Sequence, residues 1–186
     1  MNRSGTCVAG LFLVLLASGT ASAQSAVYRG HATGHIGATA GGDVAGAVLT
    51  AGGSISVLDD SGWGAEIDVG FANDGSADHR EADLTTFMVN ANWVRPRGPI
   101  HPFVVFGVGS IGVHGCLLPC SKVTTTWNFG VGGGGGARYD LNDAIAVGGD
   151  VRYVMAPGSH AGSSRPANFG FWRVAFGATF SWAIVQ

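Results

Sequence analysis

Apolar residues alternate with small or polar residues along most of the chain after about residue 45. In the clearest case, Trp172, Val174, Phe176, Ala178, Phe180 and Trp182 alternate with Arg173, Ala175, Gly177, Thr179 and Ser181. Successive side chains of a β-strand point to opposite faces, so this pattern predicts a strand with one apolar face. The same pattern and the turn residues predict eight strands, over residues 34–42, 46–57, 62–73, 84–95, 101–114, 127–140, 144–156 and 169–182. The segment 102–113 is apolar on both faces, so its orientation is not predicted.

The connections between the predicted strands alternate in length. Short turns lie at 59–62, 96–99 and 141–143, and longer polar loops lie at 73–83, 115–126 and 157–168. The first hairpin, with its short tip near Asp43, is the exception. Short turns at one end and long loops at the other are typical of an outer-membrane β-barrel. Because lipid offers the backbone no hydrogen bonds, the strands must close on themselves. We therefore predict an all-β fold, a single eight-stranded antiparallel up-and-down transmembrane β-barrel.

The first 23 residues have the organisation of a secretory signal peptide. Arg3 precedes an apolar run from Cys7 to Ala17, and Ala21-Ser22-Ala23 forms an A-x-A cleavage site. The run is shorter than the roughly 20 apolar residues that a transmembrane helix needs. We predict a cleaved signal peptide at 1–23, a barrel domain at 24–186, and export through the general secretory pathway to the outer membrane of a Gram-negative-type bacterium.

Composition narrows the class of protein further. Charged residues make up 12% of the chain, against about 25% in typical soluble domains. The chain also has 32 glycines, which are costly inside helices and argue against a soluble helical domain. The net charge of -2 gives no electrostatic reason to expect nucleic-acid binding.

The predicted inner faces carry charges of both signs. These residues are Glu66, Asp68, Arg138, Asp150, Arg152 and Arg173. An eight-stranded barrel leaves room for side chains and little else, and an unpaired buried charge is costly. We therefore expect these groups to pair across the lumen and to plug it.

The mature chain contains two cysteines, Cys116 and Cys120. Export places them in an oxidising compartment, where a disulfide is the expected state. The spacing could also form half of a zinc site, but the second pair of thiols or histidines is missing. We predict that a Cys116–Cys120 disulfide pins the third outer loop, the long loop at 115–126, when the short first hairpin tip is counted as the first.

Two segments resemble those of a known family. The run His101-Pro102-Phe103-Val104-Val105-Phe106-Gly107-Val108-Gly109 is similar to the fifth strand of small eight-stranded outer-membrane barrels, such as the OmpA transmembrane domain and OmpX. The segment Phe171–Trp182 resembles their aromatic-rich closing strand, which the barrel-assembly machinery reads. The resemblance implies a membrane environment of outer-membrane lipid and lipopolysaccharide. Ala183-Ile184-Val185-Gln186 follow Trp182, so either the strand continues through Ile184 or a short tail follows.

Two glycine motifs resemble cofactor sites. Gly107-x-Gly109-x-x-Gly112 matches the dinucleotide fingerprint, but the helix that the fingerprint requires does not follow it. The run Gly132–Gly136 has no Gly-Lys-Ser/Thr after it, as a phosphate-binding loop would. We interpret these glycines as strand residues and predict no cofactor.

Histidines provide the remaining candidate chemistry. His31 and His35 have a spacing that could bind metal on a helix, but their region has no helical pattern. His160 lies near Ser159 and Ser163 in a predicted outer loop, without the His-x-Ser motif of lipid A deacylase barrels. A catalytic pair would also need to meet within hydrogen-bond reach of each other and of an orienting acid. No catalytic or metal site is predicted.

The most consistent hypothesis is a non-enzymatic outer-membrane barrel with a structural, adhesive or envelope-protective role through its surface loops. The loop ligand is not predicted. Two alternatives stay open: a narrow pore for water or very small solutes, and an enzyme that acts on lipid A or phospholipid.

Overall fold

The computed structural model describes residues 28–42, 44–73, 82–116, 123–159 and 167–184. Its strands are β1 (Tyr28–Gly41), β2 (Val44–Leu58), β3 (Trp63–Asn73), β4 (Ala82–Val94), β5 (Ile100–Cys116), β6 (Val123–Asp140), β7 (Ile145–Ser159) and β8 (Ala167–Ile184). Each strand pairs antiparallel with its sequence neighbours, and β1 pairs with β8 to close the barrel. The prediction of an eight-stranded closed barrel is confirmed. No described helix is long and apolar enough to cross a membrane.

The outward face of the barrel is apolar, as the alternation predicted. Ile67 and Phe71 on β3 and Phe176 and Phe180 on β8 are all exposed. Trp172 and Trp182 mark the two ends of the apolar face of β8. With a rise of about 3.3 Å per residue and a tilt of about 40°, the segment between them spans roughly 25 Å, the height of a transmembrane apolar band.

The strand β5 shows an orientation that its sequence left open. Val105 and Ile111 point inward, with 4% and 0% exposure, whereas Val104 and Phe106 point outward, with 51% and 57%. Both faces of β5 are apolar because the outward face contacts lipid and part of the inward face joins an apolar cluster inside the barrel.

The strands at the closing seam extend beyond their predicted limits. β1 begins at Tyr28 instead of residue 34, because its N-terminal part pairs with β2 and β8 although it shows no strong apolar alternation. β8 continues to Ile184, which pairs with Tyr28. Of the two alternatives for the residues after Trp182, the structure shows the continued strand.

The two ends of the barrel differ in their connections. At one end, which we call the turn end, Asp59 Oδ1 accepts hydrogen bonds from the Ser61 and Trp63 amides (2.9 and 3.0 Å). In the β6–β7 turn, Asn142 Oδ1 accepts bonds from the next amides in the same way. The opposite end, the loop end, carries the three longer connections. The described ends of β1 and β8, Tyr28 and Ile184, lie at the turn end.

Candidate functional site

Five of the six predicted inner charges form one cluster across the lumen. Arg152 Nη1 donates a hydrogen bond to Glu66 Oε1 (2.7 Å) and lies 3.7 Å from Asp68 Oδ2. Arg152 Nη2 lies 3.1 Å from Asp150 Oδ2. Arg173 binds Asp68 through Nη1 and Nη2, at 2.8 and 3.2 Å. The carboxylates of β3 thus meet the guanidinium groups of β7 and β8. We call Glu66, Asp68, Asp150, Arg152 and Arg173 the ion-pair layer.

The ion-pair layer is buried and has additional hydrogen bonds. Asp68 is 1% exposed and Arg173 is 4% exposed. Asn90 Nδ2 donates to Glu66 Oε1 at 3.0 Å. Burial removes water from these charges, so each charge depends on its partners for stabilisation.

Glycines on β6 allow the close approach of the β7 backbone that carries Asp150 and Arg152. A Cβ at Gly134 would contact the Val151 carbonyl and lie 2.7 Å from Arg152 Cα. A Cβ at Gly136 would similarly lie 2.8 Å from Asp150 Cα. These inward positions therefore accept only glycine without movement of the neighbouring strand.

Arg138, the sixth predicted inner charge, lies apart from the ion-pair layer. Among the described residues, no carboxylate lies within 4.0 Å of it. Its guanidinium carbon lies 5.8 Å from the centre of the Phe103 ring. Arg138 of β6 pairs with Gly148 of β7, and Arg152 of β7 pairs with Gly134 of β6. Arg138 therefore lies nearer the turn end than Arg152. The expectation that it joins the network is therefore not met by the contacts in the structure.

The loop-end half of the lumen contains an apolar cluster that the sequence reasoning missed. Its buried members are Ala72, Leu84, Met88, Ile111, Val154, Ala156 and Phe171. Ile111 and Ala156 are fully buried, and Phe171 is 2% exposed. The available signal was the apolar character of inward positions on five strands, β3, β4, β5, β7 and β8, in their loop-end halves. We call these residues the apolar cluster.

The turn-end half of the lumen is polar and contains the larger internal spaces. A cavity of about 50 Å³, which we call the inner cavity, is lined by Thr33, His35, Asn92, Thr179 and members of the ion-pair layer. Nε2 of His35 and Oδ1 of Asn92 are buried and have no hydrogen-bond partner in the described part of the chain. A polar space of this size can hold a few waters. On the loop-end side of the ion-pair layer, the space shrinks to about 20 Å³.

A second space of about 200 Å³, the vestibule, opens at the turn end. His31, Arg138, Asp140 and Ser181 are among its lining residues. His101 Nε2 lies 2.8 Å from Asp140 Oδ2 at its wall. Arg138 lines both the vestibule and the inner cavity, so it lies at their boundary.

His31 and His35, the candidate histidines that the structure describes, form neither a metal site nor a complete triad with other described residues. His31 and His35 both lie on the inner face of β1, and His31 Nδ1 lies 2.8 Å from Ser181 Oγ. Among the described residues, His31 Nε2 has no hydrogen-bond partner, so no acid orients this pair. Within the same residues, no group of three His, Cys, Asp or Glu side chains is arranged to hold a metal ion.

Several candidate residues lie outside the described structure. His160 and Ser163 belong to this group, as does Cys120. Cys116 is the last residue of β5, and only its backbone is described. The predicted disulfide and the outer-loop histidine therefore stay predictions.

The chain is similar to a known protein family in sequence and to solved structures in fold. The sequence profile of the outer membrane protein beta-barrel domain matches residues 9–180. No curated protein matches the sequence significantly. Among solved structures, Neisserial surface protein A is similar, with 10% identity, a TM-score of 0.61, and coverage of 83% of this chain and 95% of that one.

Two further solved structures share the fold. Ail, the attachment invasion locus protein of Yersinia pestis, in complex with the heparin analogue sucrose octasulfate, has 11% identity, a TM-score of 0.56, and coverage of 86% of this chain and 100% of that one. The outer membrane enzyme PagL has 18% identity, a TM-score of 0.51, and coverage of 80% and 97%. At such low identities, these likenesses show the fold alone.

Proposed function

The chain belongs to the outer membrane protein beta-barrel domain family, and we propose that it is a non-enzymatic barrel that acts through its surface loops. The role is structural, adhesive or envelope-protective. In outer-membrane barrels the short turns face the periplasm and the longer loops face outward. The loop end of this barrel is accordingly the surface available to a partner outside the cell.

The filled lumen is the observation that supports this proposal. The apolar cluster occupies the loop-end half, and the ion-pair layer spans the barrel beneath it. The spaces on the two sides of the layer measure about 20 and 50 Å³. A barrel filled in this way has its outer loops, and not its interior, available for interaction with large partners.

The narrow pore is the second candidate, and the polar inner cavity is the observation that favours it. Hydroxyl, imidazole and amide groups line this cavity, so water can enter it from the vestibule side. Passage through the barrel would further require the ion pairs to separate and the apolar cluster to open. A hydrated dead-end cavity explains the polar lining without a conduction path.

An enzyme that acts on lipid A or phospholipid has less support. The described Ser–His contact, Ser181 with His31, lies at the turn end and lacks an orienting carboxylate in the described residues. The similarity to PagL shows a shared fold and is no evidence of a shared activity. Mass spectrometry of lipid A from a deletion strain tests this alternative: an altered acylation pattern, restored by the gene, would support the enzyme and contradict our proposal.

Conductance measurements separate the plugged barrel from the pore. Purified protein reconstituted into planar bilayers is expected to show little or no steady conductance. The matched variant is Met88→Ala with Phe171→Ala, which removes two large members of the apolar cluster but leaves the ion-pair layer intact. Stable wild-type channels of uniform size, changed by this substitution, would establish the pore instead.

Loop replacement tests the surface role directly. Each long loop, at residues 74–81, 117–122 and 160–166, is replaced by a short turn, and attachment and envelope-stress survival of expressing cells are measured. Resistance to SDS at room temperature, with a mobility change on boiling, shows that each variant still folds. Substitution of exposed turn-end residues, such as Asp60→Ser, is the control. Unchanged attachment and survival after replacement of all three loops would contradict the proposal.

The disulfide belongs to the same proposed surface. Cys116 ends β5, and Cys120 follows in the second of the three long loops. A ring this short would stabilise the folded loop by about 2 kcal/mol on the loop-closure model. Thiol labelling of the unreduced mature protein should find no free cysteine, whereas quantitative labelling would show that the pair is reduced.

Export and assembly complete the proposal. Residues 1–23 act as a signal peptide for the general secretory pathway, and the mature chain starts at Gln24. The aromatic-rich β8 serves recognition by the barrel-assembly machinery, and lipopolysaccharide surrounds the loop end. Mass spectrometry of the protein from outer membranes tests the cleavage site, and an intact N-terminus would contradict it.

A further inference from the structure

Arg138 is an interior arginine without a carboxylate within 4.0 Å among the described residues, and the charges of Asp140 and Glu66 act on it from farther away. Arg152 and Arg173 each contact more than one carboxylate at 4.0 Å or less. Arg138 has no such contact among the described residues, and its guanidinium lies 5.8 Å from the centre of the Phe103 ring. The side chain is half-buried, so its charge is only partly hydrated. A guanidinium group in this setting has donors available for an additional partner.

The position of Arg138 makes these donors accessible from the turn end. Its side chain lines the vestibule, which has a volume of about 200 Å³, as well as the inner cavity. Ser181 and His31 line the same vestibule. A space of this size accommodates a molecule of several non-hydrogen atoms, whereas the inner cavity holds only a few waters.

The carboxylates that line the vestibule have other roles. Asp140 contacts His101 at 2.8 Å, and Asp59 accepts three hydrogen bonds within its own turn. Asp60 and Asp143 are exposed on turns, where water and salt screen their charges. Glu66 is bound by Arg152 and Asn90 in the ion-pair layer. Asp140 and Glu66 therefore act on the charge of Arg138 only from beyond 4.0 Å, and the N–H donors of its guanidinium have no direct ion pair among the described residues.

We propose that the vestibule binds a small oxyanion, a carboxylate or a phosphate group, against Arg138. The planar guanidinium presents paired N–H donors that match the two oxygens of either group. Phe103 supports the guanidinium from one side. The Ser181 hydroxyl lines the same space and contacts His31 Nδ1 at 2.8 Å, so it can donate to the ligand in the tautomer in which His31 Nδ1 carries the proton. The site faces the periplasm in the orientation typical of this family.

Titration of the full-length mature barrel in detergent micelles tests the site. Acetate and inorganic phosphate are added separately at constant ionic strength, and amide NMR signals near Phe103, Arg138 and Ser181 are followed. Saturable shifts with acetate identify a carboxylate site, and shifts with phosphate alone identify a phosphate site. Chloride at the same ionic strength controls for non-specific screening. Absence of saturable shifts with both oxyanions would overturn the proposal.

Matched arginine variants assign the binding to Arg138. Arg138→Gln should weaken the oxyanion at least about tenfold, because charge-assisted hydrogen bonds are lost. Arg97→Gln, on the same end of the barrel but outside the vestibule lining, should change the affinity by less than about twofold because its exposed charge is screened. Arg138→Lys should retain part of the affinity. Resistance to SDS confirms that each variant folds. Unchanged affinity in Arg138→Gln, or an equal loss in Arg97→Gln, would contradict a site at Arg138.

Discussion

The loop-end half of the lumen is closed by apolar side chains around Ile111, whereas the turn-end half is lined by hydroxyls, imidazoles and charges. The first region leaves about 20 Å³ beside the ion-pair layer, and the second leaves cavities of about 50 and 200 Å³. Apolar side chains pack closely against one another and need no hydrogen-bond partners. Polar side chains need defined partners or water, so gaps remain between them.

The difference shows that a narrow barrel can be closed by two distinct physical means. In the loop-end half, dispersion contacts and exclusion of water favour the filled interior. At the ion-pair layer, attraction between opposite charges must offset the cost of removing them from water. Substitutions should therefore have different consequences in the two regions, and the following variants test this difference, from the largest expected effect to the smallest.

Removal of a central arginine should produce the largest loss of stability. Arg152→Ala leaves Glu66, Asp68 and Asp150 without their shared partner, at a cost of about 3–5 kcal/mol. Urea unfolding of the barrel in lipid vesicles, followed by tryptophan fluorescence, measures the loss. The control is Arg165→Ala in the loop after β7, where the expected loss is smaller. Equal stability of the two variants would show that the ion-pair layer does not hold the barrel together.

Substitution of two glycines on the same face of β6 compares the ion-pair layer with the apolar cluster. Gly134→Ala places a Cβ against the backbone of β7 beside the ion-pair layer and should cost about 1–3 kcal/mol. Gly130→Ala meets Ile111 side-chain atoms at 3.0 and 3.1 Å, and these atoms can shift. The same unfolding assay should therefore rank Gly130→Ala as the milder change. The opposite ranking would mean that the apolar cluster is the more rigid of the two regions.

A double-mutant cycle tests whether the buried ion pair is coupled. Asp68→Asn leaves Arg173 without its bidentate carboxylate partner. Arg173→Met leaves Asp68 with Arg152, whose Nη1 lies 3.7 Å away, as its remaining cationic partner. The combined variant should be about 1–2 kcal/mol more stable than the sum of the single losses predicts, because no unpaired guanidinium remains. Unfolding midpoints of the four proteins give this coupling. Strict additivity would show that the two side chains act independently.

Removal of one methyl group should have a larger effect in the interior than on the lipid-facing surface. Ile111→Val leaves a cavity in the apolar cluster and should cost about 1 kcal/mol. Ile67→Val lies on the lipid-facing side of β3, where lipid chains fill the space, and should cost less than about 0.5 kcal/mol. Calibrated unfolding curves of both variants provide the comparison. A larger loss for Ile67→Val would indicate that β3 has a protein partner on its outer face.

The sequence by itself determined the number of strands, the alternation of short turns and long loops, and the face that each patterned strand turns to lipid. These properties are local, because a period of two in side-chain direction and an apolar solvent on the outside leave a visible alternation. For the same reason the sequence placed Glu66, Asp68, Arg152 and Arg173 on inner faces. It did not orient β5, whose two faces are both apolar, and it started β1 too late.

The tertiary structure decided at which level of the barrel each inward side chain lies. Alternation specifies the face of a residue, but the register between strands specifies its height, and register depends on partners far apart in the sequence. Arg138 is on the predicted face, but it pairs with Gly148, whereas Arg152 pairs with Gly134. This register places Arg138 nearer the turn end than Arg152. Register likewise brings Ser181 to His31 and gathers Ile111 and Phe171 into one cluster. Closure of the barrel fixes all of these levels together, which is why the contacts of the lumen follow from the fold.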